Sequence, residues 1–242
     1  MIIKSNKEQG RINDASEVLM MIYITGDTHG AYEEFLNRLY QHRIAQGDTV
    51  IVCGDFGFIW DSSYHRSILS KLTAEPFTIT FVDGNHENFD LLDTYPVIEW
   101  NGGKAHKIAD NIYHLMRGQC FEIEGKRFFT MGGAYSTDKY MRKAGENWWK
   151  QELPVSDEYK AAEETLKSCG YTVDYVITHT VPQSVIHFLG LVPDPHDAEL
   201  TGYFEWLYGE LHFKKWFAGH FHVNRLIREN VQILLDEVVT IG

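Results

Sequence analysis

Cysteine is scarce in this chain, and the few copies present are badly placed for the structural roles cysteine usually takes. Cys53, Cys120 and Cys169 are odd in number and widely spaced, and no CxxC pair occurs. That argues against a disulfide framework and a thiolate zinc site, and it predicts a reducing, cytoplasmic setting. Basic residues are also in deficit: 22 Lys and Arg stand against 34 Asp and Glu, giving a formal net charge of -12. A broad electrostatic grip on nucleic acid or an anionic membrane would need the opposite sign. Phosphate substrates stay open, because bound cations can supply positive charge locally. No apolar run approaches the length of a membrane span. The opening residues lack the basic start, long apolar stretch and small-residue cleavage site of a secretory signal. Neither a GxSxG elbow nor a P-loop is present, which removes two common routes to hydrolysis and phosphoryl transfer.

What remains is ordinary globular material: 242 residues, 44% apolar and 23% charged, long enough to bury a sizeable core within one α/β domain. The first strong strand begins at Met21, in "MIYITGD". Residues 1–20 are polar and weakly patterned, so they read as an appendage to a single domain spanning 21–242. The front half repeats a pattern three times, an apolar run ending in glycine plus a polar residue and then a helical stretch. These are "MIYITGDTHG", "DTVIVCGDFGF" and "FTITFVDGNHE". Continuous apolar strands interleaved with helices predict buried parallel strands, an α/β layered sheet. In the first helix Phe35, Leu36, Leu39 and Tyr40 share one face. From about Lys104 the pattern shifts to short strands, with a hairpin turn in "EIEGKR". A helix follows at "SDEYKAAEETLKSC", with Ser156 as its N-cap and Gly170 just beyond its end. Strands are predicted at "TVDYVITHT" and "KWFAGHFH", and "RLIRENVQILLDEV" closes the chain as a hairpin.

Polar residues gather where the predicted strands stop. Asp27 and His29 lie in "GDTHG", Asp55 in "CGDFG", Asn85 and His86 in "GNHE", His179 in "VITHT", and His220 and His222 in "GHFH". In open α/β sheets ligands bind beyond the carboxyl ends of strands. An extended run through "FAGHFH" would turn both of its histidines to one face. Any one motif has a plain structural reading as a turn or a helix cap, but five such strand ends in one chain make coincidence a poor explanation. Asp, Asn and His form a mixed O/N donor set suited to divalent transition metals. Seven ligands are too many for one ordinary site and about right for two, which a shared carboxylate would hold close together.

This ordered set of motifs resembles the calcineurin-like metallophosphoesterase family, over most of the chain from Met21 to about His222. The resemblance implies a β-sandwich flanked by helices, carrying two divalent metal ions, with manganese first choice and iron, zinc, nickel or magnesium as others. It implies that Asp27, His29 and His222 hold one ion, that Asn85, His179 and His220 hold the other, and that Asp55 bridges them. It also implies hydrolysis of a phosphomonoester or phosphodiester, nucleotide-like among others, by a metal-activated hydroxide. In that scheme Asn85 stabilises charge, and His86 contacts phosphate and assists the leaving group. A serine/threonine protein phosphatase and a non-catalytic metal-bound scaffold are the alternatives. One position departs from the pattern. The family's commonest second motif reads GDxxD, often followed by Arg-Gly, whereas this chain has "GDFGFIW". Phe58 stands where an acid would orient the active-site histidine, leaving Glu87, Asp61 or another acid to replace it. Finally, the insert "GGAYSTDKYMRKAGENWW" sets Lys139 and Arg142 among aromatics. It reads equally as a substrate-recognition lid, with Arg142 on phosphate, or as a loop packed by its own tryptophans. Oligomeric state is not legible in the sequence.

Overall fold

The computed structural model describes residues 19–242, so nearly all of the expected appendage, residues 1–20, lies outside the described residues. In chain order the elements begin with β1 (Ile22–Thr25), α1 (Tyr32–Gln41), β2 (Thr49–Val52), α2 (Ser63–Leu72), β3 (Thr78–Phe81) and α3 (Phe89–Leu92). A run of strands follows: β4 (Val97–Trp100), β5 (Gly103–Ala109), β6 (Ile112–Leu115), β7 (Gln119–Ile123) and β8 (Lys126–Met131). Then come α4 (Ser156–Ser168), β9 (Tyr175–Thr178), α5 (Gln183–Phe188), α6 (Ala198–Glu210), β10 (Lys215–Ala218), β11 (Arg225–Ile227), β12 (Val231–Ile233) and β13 (Val238–Ile241).

The strands form two sheets, one ordered β13-β1-β2-β3-β6-β5-β4 and the other β11-β12-β10-β9-β8-β7. In the first, β1, β2, β3 and β6 run parallel, as the repeated strand–helix units predict. In the second, β8, β9, β10 and β12 run parallel. Side-chain alternation decides the layering. Ile22, Ile24 and Ile51 point inward to meet Phe121, Phe128, Ile177 and Phe217 of the opposite sheet. Their sequence neighbours Tyr23, Val50 and Val52 point outward, under Phe35, Leu39, Ile68 and Leu72 of α1 and α2. On the far side Val176, Trp216 and Ala218 pack under Ala162, Leu166, Leu200 and Phe204 of α4 and α6. The result is a helix–sheet–sheet–helix sandwich. In β1, β2, β3, β6, β9 and β10 nearly every residue is buried on one face or the other, which is why these strands read as continuous apolar runs.

Local corrections follow from the packing. Tyr40 is 50% exposed; only Phe35, Leu36 and Leu39 of α1 are buried, and the Tyr40 hydroxyl instead donates to Glu75. Ser156 is the first residue of α4, and the cap position belongs to Val155, whose N–H donates to Glu158 Oε2 at 2.7 Å. The β7–β8 hairpin turns through Glu124 and Gly125, both at positive φ, as a type I′ turn requires. The closing hairpin is confined to β11 and β12, because β13 leaves that sheet and pairs with β1. Among the described residues no helix is long and apolar enough to cross a membrane.

Candidate metal centre

Because β1, β2 and β3 run parallel, and β9 and β10 run parallel, each sheet gathers several carboxyl-terminal strand ends along one edge. The polar residues of the five motifs sit in the turns that leave those ends. Close backbone approach brings the turns together. A Cβ on Gly219 would lie 2.0 Å from Asp27 Oδ1, and one on Gly84 would lie 2.1 Å from Asp55 Oδ1. Only glycine allows either approach.

Backbone conformation then aims the side chains. His29, Asp55, His220 and His222 all have positive φ, at 46°, 50°, 68° and 50°. Such values are uncommon away from glycine and concentrate at functional sites. They also correct one expectation. β10 stops at Ala218, so His220 and His222 do not share a face of an extended strand. Two left-handed residues deliver them to the site by separate routes.

The side chains form two adjoining groups. In the first, His222 Nε2 lies 3.0 Å from His29 Nε2 and 3.1 Å from Asp27 Oδ2. In the second, Asn85 Oδ1 lies 3.1 Å from both His179 Nε2 and His220 Nδ1. Asp55 joins them: its Oδ2 is 3.7 Å from His29 Nε2, and its Oδ1 is 3.4 Å from His179 Nε2. Ligand atoms of Asp27, His29 and His222 lie within 4.8 Å of one another, as do those of Asp27, Asp55 and His179. Supporting contacts fix the rings. His179 Nδ1 donates to the carbonyl of Cys53 at 2.8 Å, which leaves Nε2 free as a donor atom. Asn85 Nδ2 donates to Ser136 Oγ at 3.1 Å, turning Oδ1 inward. Ser136 was not singled out in the sequence; the only signal is its place soon after β8, a further parallel strand of the same sheet.

Electrostatics show what the cluster demands. Burial would raise the Asp27 carboxyl, but hydrogen bonds from His222 and His29 and the nearby charge of His179 hold it well below the usual carboxylate range. Burial acts the same way on Asp55, and the charge and hydrogen bond of His179 overcome it. His179 responds in reverse: burial lowers its pKa, while Asp55 and Asp27 pull it upward more strongly. Two buried carboxylates thus draw positive charge into the site, with histidine supplying it. Carboxylate oxygens, an amide oxygen and imidazole nitrogens converging on two points fit two divalent cations.

His86 is held at its backbone, where its N–H donates to Asp55 Oδ1 at 2.8 Å. Its ring meets a cation rather than an acid: Arg142 Nη2 lies 2.8 Å from Nε2, and the same guanidinium is anchored on Asp138. Burial lowers the His86 pKa; Asp55 opposes this, while Arg142 and His29 add to it. Phe58 is turned away into the core, 1% exposed and 4.8 Å from the Phe56 ring. Neither expected substitute replaces the missing acid. Glu87 is 1% exposed, and its carboxyl accepts from the N–H of Phe56 at 2.7 Å. Asp61 pairs with Arg66 at the surface. Of Lys139 and Arg142, only Arg142 reaches His86, whereas Lys139 lies over the rings of Tyr135 and Trp148 at 4.5 and 5.6 Å. Lys139 thus packs within the insert, while Arg142 leaves it to meet His86.

A buried network behind the site also escaped the sequence reading. Asp83 accepts from Arg117 Nε at 2.9 Å, and His114 Nε2 lies 3.2 Å from its other oxygen. The charge of Arg117 overcomes burial and keeps Asp83 ionised. This pairing braces the segment from which Asn85 and His86 extend.

Comparison with known proteins gives a family match: the description "Calcineurin-like phosphoesterase" covers residues 20–224. No curated protein matches the chain. Among solved structures there is similarity to a protein serine/threonine phosphatase from Saccharomyces cerevisiae with similarity to human phosphatase PP5. That match has 14% identity and a TM-score of 0.37, over 90% of this chain and 67% of the other.

Proposed function

The chain belongs to the calcineurin-like phosphoesterase family, and from that premise we propose that it hydrolyses a phosphate monoester or diester at a centre of two divalent metal ions. The observation that carries the proposal is Asp55, whose two oxygens each face one group of donor atoms. Asp27, His29 and His222 would hold one ion, and Asn85, His179 and His220 the other, with Asp55 shared. Manganese leads among the ions that suit this O/N set, ahead of iron, zinc, nickel and magnesium. When bound, two such ions supply charge neutralisation and Lewis-acid activation for in-line displacement at phosphorus.

The chain's own groups do the rest. Asn85, steadied by Ser136, adds a fixed dipole where charge collects on the phosphoryl oxygens. His86 and Arg142 converge on one space beside the donor cluster. Arg142 is suited to grip a phosphate oxygen, and a ring N–H of His86 to hydrogen-bond the departing oxygen. Asp138 anchors Arg142 from behind.

A screen of nitrophenyl phosphate and bis(nitrophenyl) phosphate, with metal content measured by elemental analysis, tests the reading. Turnover is expected once manganese is added. Two bound ions with no turnover of either ester type, or of phosphopeptides, would reject catalysis in favour of a scaffold. Turnover confined to phosphopeptides would favour a protein phosphatase.

A further inference from the structure

A hollow of about 270 Å³ adjoins the proposed metal ligands, with His220 on its wall. Two more of its lining residues sit next to proposed ligands in the chain: Thr180 follows His179, and Phe221 follows His220. The hollow is therefore continuous with the donor cluster and built on the same turns. Ile186, Leu191 and Phe221 give it an apolar wall.

Two buried polar atoms in its lining lack partners. Thr180 is 1% exposed and Asp197 is 5% exposed, yet Thr180 Oγ1 and Asp197 Oδ1 make no hydrogen bond among the described residues. A buried polar group left unmatched carries a desolvation penalty that a matching ligand removes. Asp197 is the more telling of the two. It occupies the N-cap position of α6 and makes no side-chain capping bond, although aspartate there ordinarily caps its own helix. The carboxylate's backbone bonds, from the N–H of Tyr135 and from its own N–H, leave Oδ1 unmatched. No lysine or arginine lines the hollow, and Asp194 joins Asp197 in making it acidic. A second phosphate is thereby disfavoured. The volume falls just below the roughly 300–1,000 Å³ of pockets that enclose drug-sized ligands, so it suits one compact ring system.

We propose that this hollow is the subsite for the alcohol half of the ester, and that it takes an uncharged nucleoside-like group with a cyclic, largely apolar body and N–H or O–H donors. The inference rests on the phosphoesterase reading above and names the substrate class within it. Asp197 Oδ1 accepts one donor of the ligand, and Thr180 Oγ1 gives or accepts a second bond.

Two measurements on the manganese-loaded protein test it. The first is calorimetric titration with adenosine and uridine, which carry no phosphate. The second is the ratio of kcat/KM for nucleoside phosphates to that for ethyl phosphates, as monoesters and as methyl diesters. Nucleoside binding is expected in the wild type, with a ratio well above one. Thr180→Val and Asp197→Asn should each weaken nucleoside binding and lower the ratio by about tenfold, mainly through KM, as loss of a ligand hydrogen bond requires. Thr180→Val changes shape least and keeps the test open if Asp197→Asn fails to fold. Turnover of ethyl esters with no nucleoside preference, or variants that leave binding and ratio unchanged, would overturn the inference alone. Nucleoside binding without turnover of any ester would overturn the phosphoesterase reading and uphold a nucleoside site.

Discussion

Restoring the family's missing acid by Phe58→Asp should unfold this protein rather than improve it. From sequence, the substitution would return an orienting carboxylate to His86 and move the optimum for alkyl esters to higher pH. The structure reverses that expectation, because the Phe58 side chain is 1% exposed and lies between Phe56 and Phe35, with ring centroids at 4.8 and 5.9 Å. Removing such a ring costs about 3–5 kcal/mol through lost burial and the cavity left behind. An acid placed there joins an apolar cluster, so an unpaired carboxyl adds several kcal/mol more or stays protonated. The sum is about 5 kcal/mol or above, against a total stability of about 5–15 kcal/mol for a typical domain. Urea denaturation and soluble yield read the effect directly, and Phe58→Leu, which keeps most of the apolar volume, serves as control. Phe58→Leu should remain soluble with a modestly lowered midpoint, while Phe58→Asp should be insoluble or unfolded at low urea. A soluble Phe58→Asp protein with a native midpoint and a raised alkyl-ester optimum would refute this reasoning.

Arg142→Ala should lower kcat/KM for phosphate esters by about 10- to 100-fold, the worth of a lost charge-assisted hydrogen bond; an unchanged value would remove Arg142 from the site. Asp55→Asn should reduce manganese content from two ions per chain towards none, since Asp55 faces both donor groups; two ions retained by elemental analysis would contradict a shared ligand. His106 supplies a pH test of stability. Burial, with the neighbouring His114 charge adding to it, holds its pKa down at about 4, against an ordinary 6.5. The unfolded state therefore binds the proton first, so the contribution is complete above pH 6.5 and is lost as pH falls towards 4, by up to about 3 kcal/mol. The Tm of His106→Gln should fall less steeply than wild type between pH 6.5 and 4.5; parallel curves would place the acid sensitivity elsewhere.

The sandwich was legible because its central strands are buried on both faces and several of them run into glycine. Strand order was not, since nothing in "VVTI" says that β13 pairs with β1 rather than with the hairpin before it. The seven proposed ligands were legible as residue types at strand ends. Period-two alternation misplaces His220 and His222, because it assumes extended backbone and both residues are left-handed. Phe58 was noticed as a departure, but its side-chain direction depends on a packed aromatic cluster that no local pattern encodes. Arg142 is 56 residues from His86, and Asp83 is 34 residues from Arg117. Pairings of that separation come from topology. Tyr40 and Ser156 depart for the opposite reason: helix periodicity and cap preference are tendencies, and tertiary neighbours redirect each one.

The pairing of β1 with β13 sets the order of events during synthesis. Ile22 lies opposite Ile241, and Asp27 near the start of the domain meets His222 near its end at 3.1 Å. A ribosome-bound chain that has reached α6 has already exposed Asp27, His29, Asp55, Asn85 and His179, yet it lacks both remaining donors and the strand that covers β1. Joining ends so far apart carries the full loop-closure entropy and slows folding. Capture of both proposed ions would wait until the chain has passed His222, and a nascent chain stalled before His220 carries an open edge beside β1 together with a half-built donor set. Such an edge is the kind of surface on which unfinished chains pair with one another, so adding β13 would cover it soon after the donor set is complete.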